Sequence, residues 1–254
     1  RVLFRSSSFS PRLAVNYLFN PQHSLRAVYS EAVRSPGMYE NDVDWRYRVR
    51  HLTPAPYGQS EAYYFASAHG PGDLGKEHTR SREIGYNGFF RETGLAVDVR
   101  LFHEEITGLI SDPLSVVDFS PDNGDRIRFS GAEGQLDWRL GLRDRLRATY
   151  AYLDYDATSR YDRRLTARHG GSAGWMRDWG QGWSSALFYY GDDSLNGHRF
   201  ERVDLRLAKR IPLGKAALEL AGVLQQRLDD QPLTFPDNRY DSRHLLYFSA
   251  EVTF

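Results

Sequence analysis

The stretch Leu95-Ala96-Val97-Asp98-Val99-Arg100-Leu101 decides how this chain is read. Leu95, Val97, Val99 and Leu101 recur at every second residue, with Ala96, Asp98 and Arg100 between them. A period of two is that of a β-strand, whose side chains alternate between the faces of a sheet. One face of this strand is oily and the other ionic. The pattern returns along the chain. Val203, Leu205 and Leu207 alternate with Arg202, Asp204 and Arg206, and Leu246, Phe248, Ala250, Val252 and Phe254 alternate with Tyr247, Ser249, Glu251 and Thr253. Helical periodicity is hard to find.

Worked outward in this way, the sequence predicts eleven strands, near 9–19, 23–33, 80–90, 94–110, 125–139, 144–155, 167–178, 182–191, 199–211, 215–227 and 243–254. Most reach the ~9–11 residues that cross a bilayer as a tilted strand. Their connections alternate in length. Asn20-Pro21-Gln22, Arg91-Glu92-Thr93, Gly141-Leu142-Arg143, Gly180-Gln181 and Pro212-Leu213-Gly214 are short; 34–79, 111–124, 156–166, 192–198 and 228–242 are long. Short turns at one end and long loops at the other belong to transmembrane barrels. The expected fold is therefore all-β, an antiparallel up-and-down transmembrane β-barrel. Eleven is odd, whereas single-chain bacterial barrels have even strand numbers, so further strands are expected from a missing N-terminal part.

Composition excludes other classes. Among 254 residues, Lys+Arg 33 balance Asp+Glu 33, which argues against nucleic acid as a partner. No cysteine is present, so disulfides and Cys-ligated metal are ruled out. Aromatic residues make up 14%, and Tyr152, Tyr155, Trp175, Trp179, Trp183, Tyr189 and Tyr190 fit an aromatic girdle. No run approaches the ~20 apolar residues of a spanning helix. Mean hydropathy is polar, as it is when only alternate residues meet lipid. Residues 1–6, Arg1-Val2-Leu3-Phe4-Arg5-Ser6, read as a non-native leader, and 7–254 as the C-terminal part of a barrel.

An Arg or Lys facing lipid near the midplane costs about 2–4 kcal/mol. Asp98, Arg100, Arg147, Arg202, Asp204, Arg206 and Glu251 are therefore expected to line a hydrated lumen. The long connection 34–79 is rich in aromatic residues and arginine. Tyr39, Trp45, Arg46, Tyr47, Arg48 and Tyr57 are candidate ligand contacts, suited to stacking on planar groups and pairing with an anionic chelate. The same residues would also serve to fold the loop on itself. His103-Glu104-Glu105 is not an HExxH motif, since Thr107 holds the last position. The acidic clusters Asp122–Asp125 and Asp229-Asp230 read as solvated turns, with calcium binding as the alternative. No metal site, cofactor or catalytic residue is expected, and the chain is not read as an enzyme.

The runs Phe9-Ser10-Pro11-Arg12-Leu13, Ser24-Leu25-Arg26-Ala27, Ala32-Val33-Arg34-Ser35-Pro36 with Glu40, and Glu83-Ile84-Gly85-Tyr86 resemble the TonB-dependent receptor family in order and spacing. The terminal Val252-Thr253-Phe254 is similar to the C-terminal aromatic signal read by the barrel-assembly machinery, with Phe254 as its last residue. The resemblance implies the last eleven strands of a barrel of about 22, without its plug domain and TonB box. It also implies the outer membrane of a Gram-negative bacterium and uptake of a scarce solute, most specifically a ferric siderophore. The implied partners are outer-membrane lipid, the TonB complex through the N-terminal region, and the assembly machinery. A passive porin-like channel and a secreted soluble β-sheet protein are the alternative readings.

Overall fold

The computed structural model describes residues 7–51, 53, 55, 58, 61–111, 118–158, 167–195, 198–229 and 242–253. Its elements in chain order are β1 (Arg12–Asn20), β2 (His23–Arg34), α1 (Met38–Asp42), β3 (Asp44–Arg50), β4 (Glu61–His69), β5 (Glu77–Phe90), β6 (Leu95–Ser111), β7 (Asp118–Phe119), β8 (Asp122–Leu140), β9 (Asp144–Ala157), β10 (His169–Gly180), β11 (Trp183–Leu195), β12 (His198–Leu213), β13 (Ala216–Arg227) and β14 (His244–Thr253). Eleven of them form one antiparallel sheet in the order β1-β2-β5-β6-β8-β9-β10-β11-β12-β13-β14. All eleven expected strands are present, each paired with its neighbours in sequence. The sheet is open, and its edge strands β1 and β14 are exposed along their whole length.

Two expectations need correction. The connection 34–79 is not bare loop: it holds α1, β3 and β4, and β4 pairs in parallel with β7 to complete a separate three-stranded sheet. Residues 192–198 are not a long connection either. β11 runs to Leu195 and β12 starts at His198, so the hairpin continues as a ribbon. The short turns are as expected, and Gly94, Gly141, Gly180 and Gly214 supply their positive φ angles of 67–88°.

Register sorts the side chains. One cross-strand row runs Phe90, Leu95, Trp138, Leu146, Trp175, Leu187, Leu205, Leu224, Leu246, apolar at every one of nine strands. Phe90 is the last residue of β5, whereas Leu205 stands eight residues before the end of β12 at Leu213, six strands further on. With the short turns level, the chain slips about 1.3 residues per strand. At a rise of ~3.3 Å and a spacing of ~4.8 Å this is a tilt of about 40°, within the range of membrane barrels.

The apolar face has no cover. Val99 is 37% exposed, Leu101 54% and Leu205 47%, and no large side chain is fully buried among the described residues. A soluble domain of this size would bury a core. Here the apolar face is left uncovered, the arrangement expected of a sheet that meets hydrocarbon on that side.

Four of the five tryptophans fall on this face close to the short turns. Trp138 Nε1 donates to Thr93 O at 2.9 Å, Trp175 Nε1 to Asp144 Oδ1 at 2.9 Å and Trp179 Nε1 to Ser185 Oγ at 2.8 Å. Lys209 lies 5.0 Å over the Trp183 ring. Amphipathic rings with a satisfied polar tip belong where hydrocarbon meets water. Tyr152 and Tyr189 share this face, but Tyr155 and Tyr190 point the other way by register and leave the expected girdle.

Strand glycines mark places where two strands need room for a ring. A Cβ on Gly174 would enter the Phe188 ring, and one on Gly131 would meet Phe102; at Gly222 it would press on Phe248 at 3.2 Å. Each pair is directly cross-strand. Gly174→Val is expected to cost about 1–3 kcal/mol through overpacking, and Leu187→Arg about 2–4 kcal/mol through lipid exposure. Arg206→Ala, on the opposite face, should stay within about 1 kcal/mol. Denaturant unfolding of the full-length receptor in lipid measures all three, and equal costs for Leu187→Arg and Arg206→Ala would contradict the sidedness.

Candidate functional site

The second face of the sheet is ionic. Asp98, Arg100, Arg147, Arg202, Asp204, Arg206 and Glu251 all fall on it by register, opposite the Leu95–Leu246 row. Most charged partners sit on neighbouring strands. Arg100 Nη2 bonds Glu133 at 2.8 Å, and Glu83 lies 3.6 Å from Arg100 and 3.8 Å from Arg26. Asp137 accepts from Arg147 at 3.0 Å and also pairs with Arg145. Arg202 pairs with Asp204 at 2.8 Å, Gln225 donates to Asp204 at 2.9 Å, and Arg206 pairs with Glu219. Asn87 donates to Asp98 at 2.9 Å. Glu251 stands directly across from Glu219. Reading from sequence missed the acids Glu83, Glu133, Asp137 and Glu219, although each obeys the same two-residue alternation on its own strand.

Such pairs are half-exposed and contribute about 0–1 kcal/mol each. Their effect is to make a neutral, polar wall that stays wet. Aromatic side chains interrupt it: Arg202 lies 4.9 Å from the Tyr190 ring and 5.8 Å from Phe200, Tyr190 stacks on Phe188, and Arg100 lies 4.9 Å over the Phe102 ring. Nearby, Asp98, Arg100, Glu133, Gln135, Thr149 and Asp192 border a recess of about 460 Å³.

At the long-loop end, carboxylates clamp the bases of the loops. Glu77, buried, takes Arg34 Nε at 2.5 Å and Nη2 at 2.9 Å, and also accepts the amide of Ile110 at 2.8 Å. Arg34 reaches Glu40 at 3.0 Å, and Glu40 in turn accepts the amide of Gly37 at 2.6 Å, ahead of α1. Arg34 and Glu40, two residues of the family-like run, thus form an ion pair that folds the start of the loop back on the rim. Asn123 Oδ1 accepts from Gly75 N at 2.6 Å, closing the other end of the loop. Asp229 accepts from Glu201 N at 3.0 Å and pairs with Arg227. Asp193 accepts from the amides of Arg168 and His169.

The loop candidates are spread over this clamped base. Tyr39 lies on α1, 60% exposed, and Trp45 follows Asp44 at the start of β3, 47% exposed. Arg46, Tyr47 and Arg48 follow on β3, where the structure describes the backbone alone: Arg46 is paired with Ser67 and Arg48 with Tyr63. Tyr57 and Phe254 lie outside the described residues.

The sequence matches the family described as TonB dependent receptor-like, beta-barrel, over residues 3–223. The chain belongs to this family. Its members are transport proteins rather than enzymes. No curated protein sequence matches the chain. Among solved structures, the siderophore receptor PirA from Pseudomonas aeruginosa is similar at a TM-score of 0.65 and 16% identity, over 96% of this chain and 42% of that one. The FrpB iron transporter from Neisseria meningitidis gives 0.59 and 17%, over 86% and 35%, and the copper transporter OprC 0.61 and 14%, over 85% and 33%. The chain thus spans well under half the length of these receptors, and the likeness is one of fold.

Burial opposes ionisation of Glu77, but Arg34 and the Ile110 amide outweigh it and hold the carboxyl below its ordinary value of 4.5. Arg34 likewise keeps Glu40 low. A carboxyl lowered on folding stabilises above its unfolded value and loses that contribution as pH falls through the folded one. Limited proteolysis of residues 35–76 in the full-length receptor should therefore accelerate below pH 4.5. Glu77→Ala should produce the same acceleration at neutral pH, roughly tenfold for about 1.4 kcal/mol of lost bonds. An unchanged cleavage rate in Glu77→Ala would contradict the clamp.

Proposed function

We propose that the chain is the C-terminal half of the barrel of a TonB-dependent transporter in the outer membrane of a Gram-negative bacterium, and that the whole protein imports a ferric siderophore. The observation that carries this reading is the two-sided sheet: an uncovered apolar face of membrane-crossing length backed by a wall of paired charges, in a chain of this family. On this reading Asp98, Arg100, Arg147, Arg202, Asp204, Arg206 and Glu251 line the lumen. The polar wall then packs against a plug supplied from the N-terminal side, which also carries the segment that contacts the TonB complex. Phe254 serves as the aromatic terminus read by the assembly machinery.

The solute reading rests on loop chemistry. Tyr39, Trp45, Arg46, Tyr47, Arg48 and Tyr57 place aromatic rings and guanidinium groups in one external segment. Rings stack on flat ligands, and guanidinium forks take anionic oxygens in pairs. A ferric complex of planar, anionic chelating groups offers both.

The test uses the full-length gene in a strain lacking its other iron receptors. Uptake of radioactive iron as a ferric siderophore is expected, with its loss in a strain without TonB. Arg46→Ala with Arg48→Ala should reduce uptake at least tenfold at low solute while leaving receptor abundance unchanged. Uptake that persists without TonB would turn the reading to a passive channel, and growth independent of the gene on every iron source would overturn the solute class.

A further inference from the structure

The short-turn end of the sheet is not neutral like the wall above it. On the wall and at the loop bases, Arg34, Arg100, Arg147, Arg202 and Arg227 each have a carboxylate within ion-pair distance. At the short turns Arg91, Arg139, Arg143, Arg210 and Lys215 are all exposed. None of these five has an ion pair among the described residues. The acids at this level are mostly taken. Asp144 is held by Arg177 and Trp175, Asp178 accepts the Gly180 amide at 2.8 Å, and Glu219 pairs with Arg206. Glu92 and Glu251 are left against five cations.

One of these turns is held in an unusual shape. Gly180, Gln181 and Gly182 have φ angles of 81°, 52° and 80°, three left-handed residues in a row. Glutamine seldom adopts this region, and such strain persists where the surroundings fix it. Here Lys209 Nζ donates to Gln181 O at 2.8 Å, and Arg210 N donates to Gly182 O at 2.8 Å. Between this turn and the one joining β12 to β13 lies a recess of about 650 Å³. Gly182, Pro212 and Ala217 line it with small or apolar surface, while Gln181, Arg210 and Lys215 bring one amide and two cations.

Position and charge restrict what the recess meets. By register Arg210 is level with Glu219 and Glu251, and Pro212 with Ala217 and Thr253, all on the ionic face. The lipid side at this height holds Trp183 and Lys209 instead. Phospholipid headgroups therefore meet the other face, and the recess faces water at the mouth of the lumen. Its two cations suit two carboxylates, and its small lining suits methyl-sized side chains. The remaining cations stand on other turns, which follow one another about 12–13 Å apart at ~4.8 Å per strand and a tilt of about 40°. Charge spread in this way favours an extended polymer with repeated carboxylates, held by many weak contacts, over a single small anion.

We infer that this mouth is a docking surface for the peptide part of the cell wall. Gln181, Arg210 and Lys215 take one acidic stem peptide, and Arg91, Arg139 and Arg143 add contacts to neighbouring stems. Stem peptides carry free carboxylates beside alanine methyl groups, the two features that the recess matches. The inference rests on the membrane placement proposed above, which puts the short turns in the periplasm. Its readout depends neither on the imported solute nor on TonB.

The test uses the full-length receptor in detergent with two probes, a purified disaccharide-tetrapeptide of the cell wall and protein-free sacculi. Binding of the muropeptide and co-sedimentation with sacculi are expected. Arg210→Gln with Lys215→Gln should weaken muropeptide binding about tenfold, and Arg210→Lys with Lys215→Arg should restore most of it. Arg91→Gln with Arg139→Gln and Arg143→Gln should lower co-sedimentation roughly threefold and leave muropeptide binding intact. Equal muropeptide binding by the Arg210→Gln, Lys215→Gln variant would overturn the proposal. So would equal binding of a muropeptide with amidated carboxylates, or of a short polyglutamate, which would mark a site for any acidic chain. Displacement of the muropeptide by phosphatidylglycerol micelles would mark a lipid surface and overturn it too. Siderophore uptake should be unchanged in the glutamine variants, so failure of cell-wall binding and failure of the transport reading are seen separately.

Discussion

Hydrocarbon offers no hydrogen bonds, and everything in this sheet follows from that. A backbone amide left unpaired in lipid costs several kcal/mol, so a spanning chain must bond each strand to the next. Nine interior strands of the sheet meet this demand on both sides. β1 and β14 meet it on one, and both are exposed throughout. In a bilayer such edges need partners, which fits a chain that covers 42% or less of the solved receptors it resembles.

The same solvent asymmetry sets the side chains. Charge is excluded from one face by its transfer cost and permitted on the other, so Leu205 and Asp204 are neighbours in sequence and strangers in environment. Because the rows run at about 40° to the turns, the row that starts beside the short turn at Leu95 in β6 reaches the long-loop end at Leu224 in β13, and the apolar surface is built from several such rows. Tryptophans mark its lower border, and a charged cross-strand row from Glu31 to Asp156 marks its upper one. Ion pairs on the ionic face add little stability; their consequence is a surface compatible with water or with another polar domain.

The main sheet was legible because period two is local and repeats on every strand. Val97-Asp98-Val99-Arg100 states both faces within four residues, and glycine marks most of the short turns. Three things were not legible in this way. The small sheet of β3, β4 and β7 joins two different loops, and β4 and β7 pair in parallel, so no local pattern announces it. β11 continues through Asp192, Asp193 and Ser194, residues that ordinarily signal turns, and the pairing of Leu195 with His198 closes the ribbon beyond them. Tyr155 and Tyr190 were read by residue type, whereas register decided their side. The loop clamps were not in view: Arg34 and Glu40 were quoted only within a family-like run, and the second carboxylate on Arg34, Glu77, is 37 residues beyond Glu40, so only the fold brings it near.

The most direct measurement is the environment of single labels. The chain contains no cysteine, so single cysteines introduced into it can carry spin labels one at a time in a full-length receptor that has no other cysteine, in bilayers. Labels at Val97, Val99, Leu205 and Leu246 should collide with dissolved oxygen and be shielded from a water-soluble nickel chelate. Labels at Asp98, Arg100, Asp204 and Ser249 should show the reverse. Shielding of Val97 and Val99 from oxygen, or the same profile at odd and even positions, would contradict a sheet with lipid on one side and water on the other.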